Sequence, residues 1–174
     1  LIQKYFEEQS FIDSDIDSFN NFIDKELLNI IEENREIIPT IIPHNIDEFK
    51  IRLDKIWVEK PKMIEADGSS RSIYPMEVRL RKITYSAPTW ITVSAHINGV
   101  QRESFDTQIG NIPSMLKSKY CHLHKFGREE LIERGEDPDD PGGYFIINGT
   151  EKVLIKVEDS AANVLLVEKA SVGP

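Results

Sequence analysis

Asp137, Asp139 and Asp140 stand beside Gly142 in a spacing that resembles a calcium-binding loop. Such a loop needs an oxygen ligand where Pro141 sits and a glutamate where Asn148 sits, so the pattern fails at two places. Pro138, Pro141 and the pair Gly142-Gly143 describe instead a stiff loop leading into a strand. Cys121, His122 and His124 lie close together. Zinc wants about four ligands in ordered clusters, and no second cluster follows. The better reading is a half-buried cysteine and two surface histidines. A Cys–His nucleophile pair needs the imidazole beside the thiol in space, which adjacency in sequence does not supply. No serine stands in Gly-x-Ser-x-Gly, and neither a Walker A loop nor Gly-x-Gly-x-x-Gly occurs. Asn148-Gly149-Thr150 has the form of a glycosylation acceptor, but no signal-peptide apolar region accompanies it. The residues thus offer no self-contained active site and no metal ligands.

What remains is charge. The 174 residues carry 21 Lys and Arg against 30 Asp and Glu, a net charge of −9, which disfavours a nucleic-acid binder acting alone. The charge is unevenly spread. Residues 76–125 form a basic island between acidic flanks. Within and beside it, the segment Glu77, Arg79, Arg81 and Lys82 and the pair Lys117 and Lys119 are the groups able to hold a phosphate or carboxylate. A solvated strand face, or an internal ion pair between Glu77 and Arg79, accounts for the same pattern.

The elements that position these groups can be read from periodicity. Residues 1–12 read as a short helix carrying Tyr5, Phe6 and Phe11. Ser14 is a good N-cap, with Asp17 three residues on. Ile16, Phe19, Phe22, Ile23, Leu27, Ile30 and Ile31 then mark one sticky helical face ending near Asn34. From residue 37 the texture becomes strand-like. Phe49, Ile51, Leu53 and Ile56 nearly alternate, and Asp67-Gly68 marks a turn. Met76, Val78 and Leu80 alternate with Glu77, Arg79 and Arg81, which predicts a half-buried strand with a charged face. Residues 90–96 read as a strand, and Asn98-Gly99 as a two-residue hairpin turn. A short helix is expected within 123–134, starting near Arg128. Residues 144–147 and 153–157 read as strands joined through Asn148-Gly149, and 162–168 as a last strand. Helices first and strands later predict an α+β fold, with amino-terminal helices packed on a mostly antiparallel (mixed) sheet, in one domain over 1–174. The length is ample for such a core, and no apolar run approaches the roughly 18 residues of a membrane span. A single cysteine fits a reducing compartment. The chain opens on Leu1 without an initiator Met, which is expected of a fragment of a longer protein.

Four blocks carry a family resemblance. Tyr74-Pro75-Met76-Glu77-Val78-Arg79-Leu80-Arg81, running on through Thr84-Tyr85-Ser86-Ala87-Pro88, resembles a signature of the second-largest subunit of multisubunit DNA-directed RNA polymerases, archaeal and eukaryotic branch. Ile112-Pro113-Ser114-Met115-Leu116-Lys117-Ser118-Lys119-Tyr120-Cys121 is similar to that branch's next block. Asp140-Pro141-Gly142-Gly143-Tyr144-Phe145-Ile146-Ile147-Asn148-Gly149-Thr150-Glu151-Lys152-Val153-Leu154-Ile155 is similar to the third and most specific. Ile16-Asp17-Ser18-Phe19-Asn20-Asn21-Phe22 matches the amino-terminal helix. The blocks keep the family order from residue 16 to 155. One departure is Ser114, where the family often has Ile or Val.

The resemblance implies the first segment of the protrusion, a domain on the wall of the DNA cleft that the family completes after an intervening lobe. It implies a nucleotidyltransferase complex to which this chain contributes position, being inactive alone. Magnesium is expected in the largest subunit, and no cofactor in this chain. Other polymerase subunits, DNA within the assembled complex and transcription initiation and elongation factors are the expected partners. No membrane is expected, and the location is cytoplasmic. The strand after Glu151-Lys152 is expected on the side nearer the nucleic acid. Arg79, Arg81, Lys117, Lys119 and Lys152 are the candidate contacts to DNA backbone or to acids of neighbouring proteins. The alternative is a protein-interaction module that docks subunits or factors without touching DNA.

Overall fold

The apolar stripe of 16–31 folds as a continuous helical rod. It comprises α1 (Asp13–Asn21), a π turn (Phe22–Glu26) and α2 (Leu27–Glu33). The computed structural model of the chain describes residues 12–42, 44–157, 159, 162–163, 165 and 167. The expected helix over 1–12 therefore lies outside the described residues except for Ile12. Ile12, rather than Ser14, stands at the N-cap, and Asp13 and Asp15 place negative charge in the first turn, where the helix dipole favours it. The rod stops at Asn34, as expected, and the Asn34 side chain donates to the Ile30 carbonyl at 2.8 Å. Ile23 is buried, and α2 packs on the sheet through β2.

The sheet has the order β1-β2-β5-β6, from β1 (Glu36–Ile37), β2 (Phe49–Val58), β5 (Ser86–Ile97) and β6 (Val100–Pro113). Every strand pairing among the described residues is antiparallel. The β5–β6 hairpin turns on Asn98-Gly99, both with positive φ, the backbone a primed two-residue turn requires. Asn98 Oδ1 also accepts the backbone N–H groups of Asp47 and Glu48, so the turn is tied to the entrance of β2. Ile56 and Ile91 are buried on one face. The other face carries the cross-strand pair Trp57 and Trp90, with ring centroids 6.4 Å apart and Lys55 over the Trp57 ring. The register with β5 shifts at Arg102 and again at Ile109, placing two bulges on β6, the outer strand of this sheet. Bulges kink an edge and make it a poorer template for pairing. A short hairpin of β3 (Lys62–Ile64) and β4 (Ser70–Ser72) closes around Asp67-Gly68 as expected.

Two strand assignments from the sequence are wrong. The segment expected as a charged strand is helix α3 (Pro75–Arg81). Proline at the first helical position needs no backbone donor there and already holds helical φ, while Lys82 in the left-handed region ends the helix. The alternation of Met76, Val78 and Leu80 was not a burial pattern. Val78 is fully buried, whereas Leu80 is 72% exposed. The second error concerns 153–157. The hairpin at Asn148-Gly149 is real, but its strands are β7 (Phe145–Ile147) and β8 (Thr150–Lys152), and 153–157 is not strand. Strand propensity needs a neighbour to pair with, and Val153, Leu154, Ile155 and Val157 are exposed. The expected strand over 162–168 lies partly outside the described residues, and positions 162, 163, 165 and 167 are not strand.

The buried centre takes Val78, Tyr85, Leu116, Cys121 and Ile146 from three of the family blocks, with Ile73, Leu123 and Leu131 from the segments beside them. Leu131 comes from α4 (Arg128–Glu133), which begins where the sequence predicts, with Glu130 accepting the Gly127 N–H at 2.7 Å.

Candidate partner and nucleic-acid interface

Arg79 lies on α3 and has three partners inside the chain. Its Nη1 donates to Glu136 at 2.7 Å, its Nη2 to the Tyr144 hydroxyl at 2.7 Å and its Nε to Glu151 at 3.0 Å. The Glu136 side chain is only 4% exposed, and its other oxygen accepts the Met76 N–H at 2.6 Å. Glu136 thereby caps α3 from outside, where Tyr74 offers no side-chain cap. Burial opposes the charge on Arg79, but the Glu136 carboxylate and the Tyr144 oxygen more than offset it and push the pKa up. Tyr144 donates onward to Asp140, whose carbonyl accepts Lys117 Nζ. Burial, with Asp140 as acceptor, pushes the Tyr144 pKa up, so the phenol keeps its proton.

The other candidates fall at separate places. Arg81 pairs with Glu77 at 3.0 Å across one helical turn, and Glu77 also holds Arg71. The internal pair expected between Glu77 and Arg79 does not form, because residues two apart on a helix point to different sides. Lys117 sits at positive φ and turns inward to the Asp140 carbonyl. Lys119 reaches Asp24 on the helical rod at 2.6 Å. Lys152, on β8, is exposed and is the one candidate whose ammonium has neither an ion pair nor a hydrogen bond among the described residues. Four of the five cations are therefore engaged within the chain. Glu136, Asp24 and Tyr144 were not singled out from sequence. Each finds its partner across 57 to 95 positions of chain, and no local spacing signals that.

A second contact set joins the rod to the 114–121 block. Asn20 Oδ1 accepts the Lys119 N–H at 3.0 Å, and Asp24 accepts the Tyr120 hydroxyl at 2.6 Å as well as Lys119 Nζ. The hydrogen bonds from Lys119 and Tyr120 hold the Asp24 carboxyl below its usual pKa. Between the rod and the β7–β8 hairpin lies an open apolar cleft of about 600 Å³, walled by Phe19, Phe22, Ile112, Pro113, Phe145 and Leu154, with Lys152 and Asp15 at its rim.

The groups that resembled metal or nucleophile sites serve the loops. Asp137 and Asp140 each accept a backbone N–H two residues on, and Asp139 pairs with Arg128 at 2.7 Å. Cys121 is fully buried rather than half-buried, and burial pushes its thiol pKa up, away from thiolate chemistry. His122 and His124 are half-buried rather than on the surface, against the carbonyls of Pro61 and Lys117. Among the described residues no group of three or more His, Cys, Asp or Glu is placed to hold a metal ion, and no helix is long and apolar enough to cross a membrane.

An α+β fold whose core draws on three of these blocks, with the fourth, the 16–22 helix, set against the β7–β8 hairpin through Phe19 and Phe145, defines a class. Residues 10–168 match the family model described as RNA polymerase beta subunit. The chain belongs to that family, and its fold fits the protrusion assignment. Subunit Rpo2N of the DNA-directed RNA polymerase of Methanocaldococcus jannaschii is 47% identical over 174 residues, covering 98% of this chain and 34% of the relative. Subunit Rpo2 of Saccharolobus solfataricus is 43% identical over 173 residues, covering 99% of this chain and 15% of that subunit. Rpo2N of Halobacterium salinarum is 40% identical over 180 residues. The sequence thus fits an amino-terminal segment of an archaeal second subunit, and it spans about a third or less of the relatives it matches.

Proposed function

We propose that the chain is a non-catalytic structural segment of a DNA-directed RNA polymerase that lines the DNA cleft and supports transcription. Its partners are the other polymerase subunits, DNA within the assembled complex, and initiation and elongation factors, in the cytoplasm. The family match over nearly the whole chain carries this reading. The chain alone is expected to be inactive, with the magnesium of nucleotidyl transfer held by the largest subunit. Lys152 is the first candidate for a phosphate contact, because its ammonium is not engaged with an acid of the chain among the described residues. Arg81 and Lys119, half-exposed beside Glu77 and Asp24, come second. Such contacts position DNA without reading its sequence.

The test is the salt dependence of DNA binding by the assembled polymerase. Lys152→Gln is expected to lower the slope of log K against log salt by about one phosphate contact. An unchanged slope favours the second reading, a module that docks protein only. The exposed Val153, Leu154, Ile155 and Val157 support that alternative, because contiguous exposed apolar residues mark protein contacts.

A further inference from the structure

We infer that Arg79, held by the buried Glu136, is a positioning residue that sets the orientation of the β7–β8 hairpin and so the place at which Lys152 meets its partner. This rests on the reading above only for the identity of that partner. The geometry is specific. Tyr144 immediately precedes β7 and Glu151 lies on β8, so one guanidinium grips both arms of the hairpin. Each of its three nitrogens already donates within the chain. Glu136 anchors the other side by holding both Arg79 and the first turn of α3. The hairpin turn is seated on the same helix end. Gly149 donates to the Ile83 carbonyl at 2.8 Å, and a Cβ on it would lie 2.6 Å from the Lys82 Cα. Asn148 bonds Thr84, and Tyr85 donates to the Ile146 carbonyl at 2.9 Å. The hairpin is two three-residue strands, too short to hold an orientation unaided. A planar fork can fix two acceptors at once, which a lysine point charge cannot.

The experiment uses the whole polymerase on a DNA–RNA scaffold, with a photocrosslinking amino acid in place of Val153. Arg79→Gln and Arg79→Lys are compared with the parent, and Glu136→Gln tests the pair from its other end. All three are expected to lower the yield of the parental crosslink severalfold, because a displaced hairpin carries the crosslinker away from its target. Arg79→Lys keeps the charge, so retained crosslinking in that variant overturns the inference. The salt slope of DNA binding gives an independent readout, taken in polymerases without the crosslinker. Arg79→Gln combined with Lys152→Gln is expected to match Lys152→Gln alone, whereas additive losses would make Arg79 a phosphate contact itself and overturn the inference. If the parental crosslink captures protein, the nucleic-acid reading falls, and the positioning claim is judged by the loss of that protein crosslink in the same variants.

Discussion

Ser114 shows how much one atom can matter. Its side chain is buried and its hydroxyl has no hydrogen-bond partner among the described residues. A buried unpaired hydroxyl costs free energy that an apolar group of similar size does not. Ser114→Val is therefore expected to stabilise the chain by about 1 kcal/mol, read as a higher urea midpoint at unchanged m-value. A lower midpoint would mean that the site cannot take the extra methyl groups. The contrast with Arg79 is instructive. There a sequence block marks the residue, but only the fold reveals that its charge faces Glu136, Tyr144 and Glu151. Local spacing records which residue types are present, and it is silent on partners brought from far along the chain.

The helical rod is held to the 114–121 block by polar groups at its waist. Asp24 takes hydrogen bonds from Lys119 and Tyr120 and is thereby held below its usual pKa. A carboxylate depressed in the folded state stabilises fully above its unfolded value of about 4, and that contribution fades as pH falls through the folded value. Hydrogen-exchange protection of the rod amides, corrected for intrinsic rates, is expected to drop on acidification more steeply than protection of β5. Asp24→Asn is expected to weaken protection at neutral pH and to flatten that difference; an unchanged acid response would remove Asp24 from the account. Elements with local signatures were legible in the sequence. The rod announced itself by its apolar stripe, and Asn98-Gly99 and Asn148-Gly149 by residues that accept positive φ. Helix α3 was not legible, because seven residues are too few to separate a period of 3.6 from a period of 2 when only Pro75 and Val78 are buried. Residues 153–157 failed for a different reason: they have the composition of a strand and, among the described residues, no strand paired with them.

At the scale of the whole chain, the basic island of 76–125 is partly offset where it lies. Arg79 meets Glu136 and Glu151 from the acidic flank, and Lys119 meets Asp24 from the other. The segregation of charge along the sequence thus works as a set of long-range staples as well as a surface. The central claim is that this segment is a structural part of an RNA polymerase, and reconstitution tests it most directly. A polymerase assembled with this segment deleted from its second-largest subunit is expected to lose promoter opening and nucleotide incorporation, and the chain added in trans is expected to restore both. Undiminished transcription by the deleted enzyme, or stable assembly with the added chain and no recovery of either activity, would contradict the account.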